Sequence, residues 1–189
     1  MQQMLANLRA RREDERGFTL IELMVVVLII AILIAIAIPT FLGAKSRAQD
    51  KAAESSLRNG LTNAKGIYTD SDSYGTTTTL VGTSTTGLTA AEPSLTFTAA
   101  ATTTAKNISV QTNGTALVMA AKSAGGQCFL IADVASGPGT MFAALDKATT
   151  TTAGCDASVV TLPSGTTTAT AGNAVAGTSA TAPTWYAAW

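Results

Sequence analysis

The 189-residue sequence contains no histidine, and charged residues make up only 13% of it. The side chain that most often moves protons near neutral pH, and that most often ligates metals, is therefore missing. Two cysteines, with no histidine to join them, do not make a metal tetrad or an activated thiol. No glycine-rich phosphate loop with its lysine is present, so any ATP-driven step must belong to another protein. Formal net charge is zero but unevenly placed. From Asp70 onward three lysines (Lys106, Lys122, Lys147) stand against six acids (Asp70, Asp72, Glu92, Asp133, Asp146, Asp156). No basic patch results, and no specific nucleic-acid site is expected. No nucleophile–base pair, catalytic carboxylate pair or ligand cluster can be assembled. The chain is expected to have no catalytic residues, no metal site and no cofactor, and not to be an enzyme.

What the sequence does have is one long apolar run. Leu23 to Ile38 contains no polar side chain, whereas beyond Leu42 Thr, Ala, Gly and Ser dominate. That second composition suits a β-rich extracellular domain. As a helix, Phe18 to Ile38 would measure about 31 Å, the thickness of one hydrocarbon core. Arg9, Arg11, Arg12 and Arg16 precede it, mixed with Glu13, Asp14 and Glu15, and they favour a cytoplasmic N-terminus. Lys45, Arg47 and Lys51 on the far side weaken that bias. Ala35-Ile36-Ala37 would fit ordinary signal cleavage before Ile38, but the apolar core is long for a signal and Pro39 would follow the cut.

Glu22 interrupts the start of this run. A carboxylate at the centre of a membrane helix costs about 2.5–3.5 kcal/mol, and less near an end. The surrounding stretch, Arg16-Gly17-Phe18-Thr19-Leu20-Ile21-Glu22, resembles the processing site of type IV pilins and the related pseudopilins, most closely a type IV pilin. The resemblance covers the leader, the Gly17–Leu23 core, the apolar run, Pro39 and the start of the soluble helix. It implies cleavage of the Gly17–Phe18 bond by a prepilin peptidase and N-methylation of Phe18. The new amine would lie four residues before Glu22, on the same helical face. In a bundle of staggered subunits the Phe18 amine of one chain would reach Glu22 of a neighbour, rewarding a single axial register. An interfacial Glu22 without a partner is the plainer alternative.

By the same resemblance the chain would be the structural subunit of a type IV pilus, serving adhesion, motility or DNA uptake. Its precursor would cross the cytoplasmic membrane once, and the mature form would sit in a cell-surface filament. The implied partners are further copies of itself in a helical homopolymer, the prepilin peptidase, an inner-membrane assembly platform and a separate assembly ATPase. A pseudopilin of a type II secretion system is the alternative. A membrane-anchored extracellular binding domain is a third reading.

An α+β fold is expected, with one long N-terminal helix laid across a C-terminal antiparallel sheet. Residues 1–17 read as a cytoplasmic leader and 18–39 as the apolar assembly helix. Pro39 lacks an N–H and crowds the Ala35 carbonyl, so a helix kink is expected there. Residues 40–68 continue as an amphipathic helix with Ala53, Leu57, Leu61, Ala64 and Tyr68 on one face. Asp70 to Gly75 reads as an Asx-rich turn, a partial calcium loop being the other reading. Residues 69–106 form a Thr-rich connection, exposed, with one short strand at Ser94–Thr98. Residues 107–162 hold the sheet: Asn107–Gln111, a tight turn at Asn113-Gly114, Thr115–Lys122, Gln127–Val134 and Ala157–Leu162. Ile108, Val110, Leu117, Met119, Phe129 and Ile131 would face the helix.

Cys128 and Cys155, on an exported domain, are expected to form a disulfide contributing about 3.6 kcal/mol. Two free buried thiols are the alternative. Pilins commonly close a C-terminal loop this way, which would make residues 128–155 a loop facing a receptor or another subunit. Residues 163–189 form a Thr/Ala-rich tail ending in three aromatics. Docking of that tail on its own sheet is the safer reading, and docking on a neighbour the other.

Overall fold

The computed structural model describes residues 18–102, 104–145, 155–163, 170–173, 176–177 and 183–189. The chain forms two compact units, Met1–Ala44 and Lys45–Trp189. Helix α1, Leu20–Ser71, makes up the described part of the first unit and opens the second. In the first unit its large apolar side chains from Phe18 to Leu42 are each 48–88% exposed. A stripe that apolar needs lipid or other protein around it. In the second unit Ala53, Leu57, Leu61 and Ala64 are buried along one face, at the spacing read from the sequence. The helix runs past the expected end at Tyr68. Ser71 bonds the Ile67 carbonyl at 2.9 Å, and Asp72, at φ 52°, closes the end by donating its N–H to the Tyr68 carbonyl at 2.7 Å.

Much of the Thr-rich connection is exposed, as expected, but it is also anchored in the core. It contains two one-turn helices, α2 (Thr77–Val81) and α3 (Gly87–Ala91), which bury Leu80 and Leu88 in the core. Thr76 and Thr79 cap α2 reciprocally, each side chain bonding the other's backbone N–H. Threonine is a poor helix interior residue, but here it supplies the cap. Strand β1 (Thr96–Thr98) then lies parallel to β2, starting two residues after the expected Ser94.

Strands β2 (Asn107–Thr112), β3 (Ala116–Lys122), β4 (Cys128–Val134) and β5 (Gly139–Leu145) form the antiparallel centre. The turn between β2 and β3 corrects the expected Asn-Gly corner. Thr112 pairs with Leu117, so Gly114 and Thr115 occupy the corner, with Gly114 at φ 94°. Asn113 stays on the strand side, and its side chain accepts the N–H groups of Thr115 and Ala116. The fourth antiparallel strand is also not where it was expected. Residues Ala157–Val159 form a 3₁₀ turn because Asp156 caps Ser158 at 2.8 Å and Ser109 takes the Ala157 N–H at 2.9 Å. β5 holds that place instead. Only Thr140 in it is β-branched, so its propensity signal is weak.

Beyond β5 the tail adds β6 (Thr170–Asn173), β7 (Ala176–Gly177) and β8 (Tyr186–Ala188), giving the order β1-β2-β3-β4-β5-β8-β6, with β7 also on β5. The sheet is buried on both faces. One packs on α1 through Ile108, Val110, Leu117, Met119, Phe129 and Ile131. The other buries Val118, Leu130, Met141 and Leu145 beneath Val160 and Trp185. The expected sheet had one apolar face, toward α1; the second core is an addition, and it uses the alternate residues of the continuous apolar runs of β3 and β4. Helix and sheet pack tightly at Gly60, where an added Cβ would stand 3.2 Å from Phe97 and 3.3 Å from Met119.

Candidate assembly and processing site

The first turn of α1 brings Phe18, Thr19 and Glu22 together. Thr19 donates its N–H to Glu22 Oε2 at 2.8 Å and its hydroxyl to the same oxygen at 2.7 Å. Glu22 N–H returns a bond to Thr19 Oγ1 at 3.3 Å. This is a capping box, with Thr19 as N-cap and Glu22 three residues on. It satisfies backbone donors that a helix start leaves open, and it sets a carboxylate at the positive end of the helix. Among the described residues, Glu22 Oε1 accepts no bond. Phe18, Ile21, Glu22, Val25 and Val26 line one shallow apolar groove, so Phe18 and Glu22 share a side of the helix. Thr19 was missed in the sequence, although Thr-x-x-Glu before an apolar run is a capping signature.

Gly17 lies outside the described residues, as does the rest of the leader, so the Gly17–Phe18 bond is seen only from its Phe18 side. Phe18 is exposed there. Pro39 stands inside α1, one residue before Thr40, whose hydroxyl turns back to the Ile36 carbonyl at 3.0 Å.

A family model for the prokaryotic N-terminal methylation motif matches residues 13–38. The chain carries the N-terminal segment of the type IV pilin and pseudopilin superfamily. That pilin-type segment points to a structural subunit made as a membrane-anchored precursor and processed by a prepilin peptidase. No curated protein and no solved structure matches the chain. The residues that follow the segment are therefore read from their own geometry.

Two features hold that domain in shape. Cys128 and Cys155 are joined, with Cα atoms 5.6 Å apart and both residues buried. The segment they bracket is not simply the outward loop expected, because its described part is the sheet strands β4 and β5; residues 146–154 lie outside the described residues. The second feature is a polar pin around Asp133. Tyr74 donates its hydroxyl to Oδ2 at 2.6 Å, while Thr140 donates to Oδ1 at 2.8 Å. Lys65, from α1, lies 2.8 Å from Oδ1 and donates to Thr140 at 2.8 Å. Burial alone would push the Asp133 carboxyl up, but the bonds from Lys65, Tyr74 and Thr140, with the Lys65 charge, hold it below the usual aspartate range. Burial, and then the bond to Asp133, push the Tyr74 phenol well above its ordinary value. The pin joins the helix, the turn after it and two strands. Its members lie too far apart in sequence to form a motif.

Proposed function

We propose that the chain is the subunit of a type IV pilus, stored in the cytoplasmic membrane through residues 18–39 with its N-terminus inside. The prepilin peptidase cuts Gly17–Phe18, Phe18 is N-methylated, and the assembly platform, driven by a separate ATPase, stacks subunits through α1. The observation that carries this reading is the methylation motif match set on an apolar helix whose only acid before residue 50 is Glu22. In the single subunit Thr19 supplies donors to Glu22. In the filament the Phe18 amine of an adjacent copy takes up the carboxylate, and the chain locks at one axial step. Pro39 gives the buried rod a point of bending.

The test is the intact mass and N-terminal sequence of the chain from a sheared surface fraction. A start at methylated Phe18 in filamentous material supports the reading, and a start at Ile38 refutes it. A methylated Phe18 start found only in the membrane, with none in the sheared fraction, favours a secretion-system pseudopilin. Glu22→Gln is expected to leave cleavage intact and to strand mature subunits in the membrane.

A further inference from the structure

Two Asn-Gly steps occur in the sequence, Asn59-Gly60 and Asn113-Gly114. Such a step is chemically labile, because glycine has no side chain to shield its amide nitrogen. That nitrogen gives its proton to water and bonds to the asparagine Cγ, while the Cγ–amide bond breaks and ammonia leaves. Water then opens the cyclic imide. Addition at Cγ gives aspartate, and addition at the main-chain carbonyl gives isoaspartate, whose chain runs through the former side chain. The reaction needs the glycine N–H free and the asparagine side chain able to swing towards it.

The fold holds the two steps differently. Asn59 and Gly60 lie inside α1, where Gly60 is buried and its N–H belongs to the helix ladder. Asn63 donates its side-chain amide to the Asn59 carbonyl at 3.1 Å, and Phe97 and Met119 close over Gly60. Freeing that N–H means breaking the helix at its packed face.

Asn113 is exposed at the corner between β2 and β3. There the Gly114 N–H is donated to Thr112 Oγ1 at 3.0 Å. Asn113 Oδ1 accepts the Thr115 N–H and hydroxyl, each at 3.2 Å, and the Ala116 N–H at 2.9 Å. The Gly114 carbonyl takes the Tyr74 N–H at 2.8 Å, which ties the corner to the turn after α1. The bonds that restrain Asn113 Oδ1 and the Gly114 N–H lie within residues 112–116. A corner of this kind opens at lower free energy than a helix packed on a sheet.

We propose that Asn113 is a spontaneous modification site of the folded chain. It converts to isoaspartate when the corner opens, and the corner's hydrogen bonds, that to the Thr112 hydroxyl first, set how often this happens. Asn59, with the same chemistry, stays intact. Aspartate at 113 would keep an acceptor for the Thr115 and Ala116 N–H groups. Isoaspartate adds the side-chain methylene to the main chain and shifts Gly114 from Tyr74, so the corner no longer closes as before.

The test incubates the full, disulfide-intact chain in mild detergent and warm, mildly alkaline buffer. Peptide mapping that separates aspartate from isoaspartate follows both sites. Synthetic peptides spanning 57–63 and 111–117 give the unstructured rate for each. In the folded chain Asn113 should convert at least tenfold faster than Asn59, yet more slowly than in its own peptide. Thr112→Val should raise the Asn113 rate at least threefold and leave Asn59 unchanged, whereas Thr112→Ser should keep the wild-type rate. Equal rates at the two sites overturn the proposal. So does an Asn113 rate equal to that of its peptide, since the bonds then guard nothing, or a Thr112→Val chain that converts like the wild type. Where Thr112→Val speeds both sites the domain itself has loosened, and Thr115→Ala decides: faster conversion at Asn113 alone supports the proposal, and an unchanged rate refutes it.

Discussion

Tyr74→Phe isolates one atom of the polar pin. The ring is 2% exposed and packs 4.8 Å from the Tyr68 ring, contacts that phenylalanine keeps. What is lost is the 2.6 Å bond to Asp133 Oδ2. Asp133 is only 7% exposed at its side chain, so water replaces the hydroxyl poorly, while Lys65 and Thr140 both serve the other oxygen. A bond to a charged group contributes about 1.5–3 kcal/mol, and stranding a buried acceptor puts the loss near the upper end. With an m-value of about 2 kcal/mol/M in urea, a loss of about 2.5 kcal/mol lowers the midpoint by about 1.2 M. Trp185 and Trp189, both in the sheet domain, report the transition by fluorescence in the detergent-solubilised, disulfide-intact chain. The sign of the pH effect follows from the Asp133 shift. Its folded pKa lies below the ordinary 3.8, so the stabilisation is present above that value and fades as pH falls through the folded pKa. Tyr74→Phe removes one cause of the depression and should move acid unfolding to higher pH. A midpoint change under about 0.2 M, with no movement of the acid arm, would refute the view that this bond holds the helix end to the sheet.

Three further changes test other parts of the fold. Gly60→Leu forces a side chain between α1, Phe97 and Met119 and should destabilise the domain by about 1–3 kcal/mol, read as a lowered urea midpoint. Cys128→Ser with Cys155→Ser should lower stability by about 3 kcal/mol in the same assay, since the bond closes a separation of 27 residues. Thr19→Ala removes the N-cap and should cost the first turn of α1 about 1 kcal/mol, seen as faster amide exchange at Ile21 and Glu22, whereas Thr19→Ser should keep protection.

The parts of this chain legible in sequence are those where neighbours in sequence also do the work together. Thr19-Leu20-Ile21-Glu22 and the Leu57–Leu61 face are of that kind, as are the apolar strands β3 and β4. The Asn113-Gly114 corner was placed one residue early because Asn113 spends its side chain on Thr115 and Ala116 instead of adopting a positive φ itself. The stretch 157–162 looked like a strand, but Ser109, brought from β2, claims the Ala157 N–H and curls it. Leu80 and Leu88 stand alone among threonines in the sequence, and two one-turn helices, the first capped by Thr76 and Thr79, turn them into the core. Tyr74, Lys65, Asp133 and Thr140 meet only once the helix lies on the sheet, so local spacing could not show them.

The two faces of the sheet are finished at different times along the chain. Everything needed for the face against α1 has appeared by β5, apart from the last tryptophan packed at its margin. The opposite face waits for Val160 and then for Trp185. A domain delivered from its N-terminal end would thus spend a period with α1 docked and Val118, Leu130, Met141 and Leu145 uncovered. Until residue 185 arrives, that face of the sheet has still to gain its cover, and that interval is when its apolar side chains would most need shielding.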